Sequence, residues 1–285
     1  MISKPSLIVV SWDGIQDPLQ YIYKDSRLEA NHFDLLLFDY SGIDHANNID
    51  NKYLYLSSKT ECKGQIIYLV YQFILSNSLK DKYQYIALFD DDQYISYSDI
   101  QKLLFIGQLE ALDVFQPSLT HDSFYDNRQF LHKEGYHILK APWVEVMCPF
   151  YRMDIFLEFA PHCIDNISGT GVDIYLVPTI QFLLGKNNTA VVHAVQLKHA
   201  RPIRTGKRVF SNNKTSVQEI QEMQLYCKSL LNKSTIKDTQ DFYYKQLIQI
   251  LKDKRNGKIS LFDKMKRIPT LLKNLYQFLV DLSYR

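Results

Sequence analysis

Three consecutive carboxylates, Asp90, Asp91 and Asp92, close a short apolar run, Tyr85-Ile86-Ala87-Leu88-Phe89. Like charges this close repel one another unless a cation compensates them. A D-x-D pair also offers oxygen ligands suited to a hard divalent cation. If the backbone stays extended, Asp90 and Asp92 point to one side and Asp91 to the other. The plain alternative is an acidic turn exposed to water. Two earlier apolar runs also finish in acids: Asp13 follows residues 7–11, and Asp39-Tyr40 closes residues 33–40. A row of such ends supplies what a nucleotide crevice needs, a carboxylate for ribose hydroxyls and an aromatic ring for the base, although strand ends are also simply where polar residues begin.

Later in the chain, Gly169-Thr170-Gly171-Val172-Asp173 precedes an apolar stretch. A Gly-x-Gly turn ahead of a helix can aim backbone N–H groups at a ligand, and Asp173 then lies in the first turn, where it can also serve only to complement the helix dipole. Glu145 is a lone acid within Trp143-Val144-Glu145-Val146-Met147-Cys148-Pro149-Phe150. The stretch from Lys198 to Arg208 joins His199 to several cations in a Gly-containing loop, a composition suited either to anion capture, diphosphate included, or to solvation. His193 lies among apolar neighbours and reads as a core histidine.

Elements must position these groups. Residues 7–11, 33–40, 52–57 and 85–89 read as strands; residues 64–78 place Ile66, Ile67, Val70, Phe73 and Ile74 at helical spacing. A helix over residues 98–112 has Ser98 as its N-cap. Residues 113–119 form a strand halted by Pro117, residues 143–150 alternate, and residues 189–197 form the last strand. This alternation of strands and helices predicts an α/β fold with a doubly wound, mostly parallel sheet.

The chain has 285 residues, enough for one large or two small domains. A net charge of +2 argues against extended nucleic-acid binding. Cysteines 62, 148, 163 and 227 form no C-x-x-C pair, which points to reduced thiols and a cytoplasmic location. No run of 18 apolar residues occurs, so no spanning helix is expected.

Residues 213–285 differ from residues 1–212 and read as a helical extension. Ser216 and Glu219 form a capping-box signature. Tyr243, Leu247, Ile250 and Leu251 predict a second helix, and Leu261, Met265, Ile268, Leu272, Leu275, Leu279 and Leu282 a third. Residues 252–273 carry eight cations against two acids. Such a tail can rest on an anionic membrane surface, with the protein then at the inner face of the cytoplasmic membrane, or it can pack on the sheet or on a second subunit as a homodimer.

The layout resembles the GT-A fold of nucleotide-sugar glycosyltransferases. Phe89-Asp90-Asp91-Asp92, Gln116-Pro117-Ser118-Leu119, residues 144–149 and residues 169–173 together also look like the "lysine ketoglutarate reductase trans-splicing related" family over about residues 85–185, with Thr170 where Trp is expected. The GT-A resemblance implies a metal-dependent transfer of a sugar from a nucleotide donor, a UDP-sugar first, to a glycan or lipid-linked acceptor in surface polysaccharide or lipopolysaccharide synthesis. It implies Asp90, Asp92 and His199 as ligands of Mn²⁺ or Mg²⁺, with Asp90 and Asp91 also on the donor. Asp13, Asp39 and Tyr40 would lie near the nucleoside, and Arg201, Arg204 and Lys207 near the diphosphate. An inverting transfer needs a carboxylate base, Asp173 first and Glu145 second. Two alternatives compete: a phosphatase of the haloacid-dehalogenase type, in which D-x-D normally sits on the first strand followed by Thr, and a non-catalytic interaction protein with the same fold.

Overall fold

Runs of Leu, Ile, Val and Phe without polar alternation are satisfied only when both faces of the strand are covered. In the computed structural model, which describes residues 4–15, 17–23, 33–202 and 208–233, that is how the chain folds. β1 (Ser6–Trp12) and β5 (Tyr85–Phe89) are buried along their whole length, and β3 (Phe33–Asp39) nearly so. The other strands are β2 (Ile22–Tyr23), β4 (Leu54–Ser57), β6 (Gln93–Ser96), β7 (Val114–Leu119), β8 (Ile138–Lys140), β9 (Phe150–Arg152) and β10 (Thr189–His199). Their order is β4-β3-β1-β5-β9-β7-β10, with β6 and β2 continuing past the end of β10 and β8 pairing on β10. β4, β3, β1 and β5 are mutually parallel, β9 runs antiparallel between β5 and β7, and β7 and β10 are parallel.

Helices cover both faces. α1 (Lys63–Ser76) packs Ile66, Ile67, Val70 and Ile74 with Leu7, Val9, Leu36 and Leu88. α3 (Met153–Phe159), α4 (Val177–Leu183) and α5 (Ser216–Lys233) share that core, and Met223, Cys227 and Leu231 of α5 are buried in it. α2 (Tyr97–Leu109) covers the opposite face with Ile100, Leu103 and Leu104 against Ile8, Val10, Ala87 and Phe89. No helix among the described residues is long and apolar enough to cross a membrane.

The structure corrects four local expectations. The cap of α2 is Ser96, whose Oγ accepts the Asp99 N–H at 3.1 Å, rather than Ser98. β7 runs through Pro117 to Leu119, because β9 pairs only with Val114 and Phe115 and the β10 register slips between Val192 and Gln196, so little of the ladder needs the missing N–H. Residues 143–149 are irregular and become a strand only at Phe150, their backbone being held by side chains instead. The reciprocal box at the start of α5 is Thr215 with Gln218, not Ser216 with Glu219. The second and third helices expected in residues 243–282 lie outside the described residues, as do Arg204 and Lys207.

Candidate functional site

The C-terminal ends of β1, β3 and β5 form one edge of the sheet, where the chain turns and polar groups collect. After Phe89 the backbone turns instead of staying extended, and this corrects the expected pairing of Asp90 with Asp92. Asp90 faces α1, where Lys63 Nζ donates to its Oδ1 at 2.6 Å and to the Leu88 carbonyl at 3.2 Å. Asp91 and Asp92 share a different cation: the Arg201 guanidinium binds Asp91 Oδ1 through one amino nitrogen and Asp92 Oδ2 through Nε at 2.9 Å. Tyr40, just past β3, donates its hydroxyl to Asp91 Oδ2 at 2.6 Å. Burial and the Asp91 charge push the Tyr40 phenol well above its ordinary range, so it remains a donor.

Sheet register places the histidine. β10 outruns β7 and pairs antiparallel with β6 through Gln93↔His199, which sets Asp92 beside His199. The Ala200 N–H donates to the Asp92 carbonyl at 2.9 Å. His199 Nδ1 donates to the Phe124 carbonyl at 2.9 Å, and this leaves Nε2 facing Asp92 Oδ2 at 3.2 Å. Burial alone would raise the Asp92 carboxyl, but the hydrogen bond and charge of His199, together with Arg201, outweigh it and hold the group below its ordinary value. For His199 burial acts downward, and the Asp92 carboxylate outweighs it and raises the imidazole.

A divalent ion fits this corner in part. A nitrogen fixed by a carbonyl on its far side is a well-oriented ligand, and Asp92 Oδ1 is buried with no partner among the described residues. Among the described residues, no group of three or more His, Cys, Asp or Glu side chains could hold a metal. Asp92 and His199 alone offer two of the donors such an ion would need.

A cleft opens beside this corner. It is lined by Trp12, Asp13, Asp17, Pro18, Gln20, Tyr21, Asp91 and Arg201. Asp13 thus lines the cleft, with its Oδ1 accepting the Ile15 N–H. Asp39 does not present itself there. It is fully buried, and its oxygens accept the Ser41 N–H, the Tyr55 hydroxyl and His45 Nδ1 at 2.6–2.9 Å. Burial would lift its carboxyl, and these hydrogen bonds outweigh that and lower it.

The structure brings Glu145 and Asp173 together. The loop carrying Glu145 crosses the sheet edge on three side-chain props: Gln116 Oε1 accepts the Glu145 N–H at 2.6 Å, Asp173 Oδ2 accepts the Val146 N–H at 3.4 Å, and Gln93 Nε2 donates to the Met147 carbonyl at 2.8 Å. Asn127 donates to Glu145 Oε1 at 3.2 Å, while Oε2 is buried without a partner among the described residues. Burial pushes the Glu145 carboxyl up to about 8, with the charges of Asp173 and Asp126 adding to it and Asn127 opposing. Asp173 is half-buried in a π-helical turn (Val172–Leu176) that leads into α4, a local geometry common at functional sites.

Sequence reasoning missed several of these groups. Lys63 looks like a solvated first-turn lysine, and only its 7% exposure shows otherwise. Gln93, Gln116 and Asn127 carry no motif, and Trp12 and Tyr21 reach the cleft only through the fold. His193 is buried as expected, with Nδ1 accepting the Lys133 N–H at 3.1 Å.

Among solved structures, the chain is similar to S. aureus TarS. Against residues 1–349 of TarS in complex with UDP-GlcNAc the TM-score is 0.53 at 12% identity, covering 88% of this chain and 71% of that one. The fold is GT-A. The complex of the same TarS fragment with UDP gives 0.51 at 11% identity, covering 93% and 78%. Against TarS itself the TM-score is 0.53 at 10% identity, and this chain spans 42% of its length. Neither a protein-family model nor a curated protein matches the chain, so the narrower resemblance over residues 85–185 gains no support.

Proposed function

We infer that the protein is a glycosyltransferase that moves a sugar from a nucleoside-diphosphate donor, a UDP-sugar first, to a hydroxyl of a glycan or lipid-linked acceptor. The observation that carries this reading is the corner at which the Trp12–Tyr21 cleft meets Asp91, Asp92, His199 and Arg201, at the C-terminal edge of a GT-A sheet. TarS, with the same fold, has been seen with UDP-GlcNAc and with UDP.

In this reading the aromatic wall of Trp12 and Tyr21 receives the base, and Asp13 receives ribose hydroxyls. Asp92 and His199 would hold Mn²⁺ or Mg²⁺, which would supply Lewis acidity to the departing diphosphate. Arg201, already poised on two carboxylates, offers its fork of N–H groups to phosphate oxygens. Asp90 is neutralised by Lys63 and anchors the turn. Asp173 takes the proton from the acceptor hydroxyl in an inverting transfer. Glu145, whose carboxyl burial raises toward neutrality, is the second candidate for that base. The acceptor in this reading belongs to a surface polysaccharide or lipopolysaccharide.

Donor hydrolysis, measured with and without Mn²⁺ in the wild type and in Asp92→Ala, tests the reading. Turnover that needs Mn²⁺ and is lost in the variant supports it. Turnover of p-nitrophenyl phosphate with no turnover of any sugar nucleotide would replace it with a phosphatase, and no nucleotide binding at all would leave an interaction protein.

A further inference from the structure

Glu219 is a carboxylate that the fold buries to 1% exposure without using it in its own helix. The first turn of α5 is already capped by Thr215 and Gln218, which exchange hydrogen bonds at 2.9 and 3.3 Å. Glu219 instead reaches across to the loop of residues 166–171. Its Oε1 accepts the Ile167 N–H at 2.9 Å and the Asn212 side-chain amide at 2.7 Å, and its Oε2 accepts the Ser168 N–H at 2.7 Å. Burying an ionisable group is costly, and α5 is already anchored by Met223, Cys227 and Leu231. The carboxylate's hydrogen bonds go to the 166–171 loop and Asn212 rather than to its own helix.

That loop touches both halves of the site. On one side it is pressed against the start of α1: Gly64 N–H donates to the Ile167 carbonyl at 3.1 Å, Cys62 Sγ donates to the Ser168 carbonyl at 3.3 Å, and Gly169 packs on Lys63. A Cβ on Gly64 would come within 1.9 Å of the Asn166 carbonyl oxygen, so the approach leaves no slack. Lys63 then binds Asp90. On the other side the loop enters the π-helical turn at Gly171, and Asp173 of that turn holds the Val146 N–H beside Glu145.

We propose that Glu219 is a positioning residue: its carboxylate clamps the 166–171 loop and thereby sets the Asp173–Glu145 pair. The catalytic consequence rests on the glycosyltransferase reading above, while the clamp itself is a statement about the fold. It follows that α5, outside the sheet, is part of the working site. Glu219→Gln keeps the side chain's size but replaces one acceptor oxygen with an NH₂ group facing an N–H. Leu231→Ala loosens the far end of the same helix without touching the clamp, and serves as the comparison.

The test uses the full chain. Hydrogen exchange at the Ile167, Ser168 and Val146 amides is followed in both variants, together with Mn²⁺–UDP affinity and the kcat and KM of donor turnover. For Glu219→Gln we expect exchange at all three amides to rise at least 10-fold, kcat to fall at least 10-fold, and affinity for Mn²⁺–UDP to stay within about 3-fold. For Leu231→Ala we expect a lower melting temperature with Val146 still protected and kcat retained. The proposal is overturned if Val146 stays protected in Glu219→Gln while Ile167 and Ser168 open. It is equally overturned if Leu231→Ala, at a matched loss of melting temperature, lowers kcat as far as Glu219→Gln does. A wild type that neither binds nor turns over any sugar nucleotide contradicts the glycosyltransferase reading instead, and the exchange at Val146 still decides the clamp.

Discussion

At the scale of single residues, the site depends on how charge is shared among neighbours. The sequence shows three acids in a row, and the structure divides them: Asp90 goes to Lys63, while Asp91 and Asp92 go to Arg201, with His199 added for Asp92. If Asp92 and His199 hold the metal, Asp92→Ala and His199→Ala should each lower kcat for donor turnover by about 10²–10³-fold, equivalent to about 3–4 kcal/mol of transition-state stabilisation. Steady-state kinetics at saturating Mn²⁺ checks this, and an unchanged kcat would remove the residue from the metal site. Glu145 gives a prediction of a different kind. Its carboxyl is raised from an ordinary 4.5 to about 8, so between those values the folded protein keeps a proton that the unfolded chain has released. Stability must then fall as pH rises, by at most about 1.4 kcal/mol per pH unit, and the full cost is reached above pH 8. Glu145→Gln cannot titrate. Its melting temperature should therefore climb relative to wild type from pH 5 to pH 9, and parallel curves would contradict the assignment.

At the scale of elements, regular strands were legible and supporting contacts were not. The apolar runs over residues 7–11, 33–40 and 85–89 have no other way to be satisfied than as buried strands, and they are. The Gly-x-Gly turn before an apolar helix was also readable, because Gly169 and Gly171 take positive φ there. What could not be read was the meeting of α1 with the 166–171 loop, about 100 residues apart in the chain. Lys63 and Gly64 become meaningful only through that contact. Gly64→Ala tests its tightness. The added methyl has some helix propensity in its favour, but it would meet the Asn166 carbonyl oxygen at 1.9 Å. We expect a loss of about 3 kcal/mol, seen as a melting temperature roughly 6–12 °C lower. A melting temperature equal to wild type would show that α1 and the loop are less closely fitted than described.

At the scale of the whole molecule, alternating strands and helices were enough to give the fold class, and the observed sheet order agrees with it. The antiparallel strand β9, the short β2–β6 pairing and the late register of β6 on β10 were not readable, because each involves only two or three residues. Yet the last of these is what brings His199 to Asp92. A molecule organised this way should gain stability from its donor. A nucleoside diphosphate with Mn²⁺ at about 100 times its dissociation constant should add about 2.7 kcal/mol, and EDTA should remove the gain. A thermal-shift series across UDP, GDP, ADP and CDP would read this directly and rank the bases.

The most direct measurement is a structure of the protein with Mn²⁺ and UDP. The account predicts the metal on Asp92 and His199 Nε2, the diphosphate against Arg201 with Asp90 still paired to Lys63, and the base in the cleft walled by Trp12 and Tyr21. Nucleotide bound at any other edge of the sheet, or metal bound away from Asp92 and His199, would contradict it.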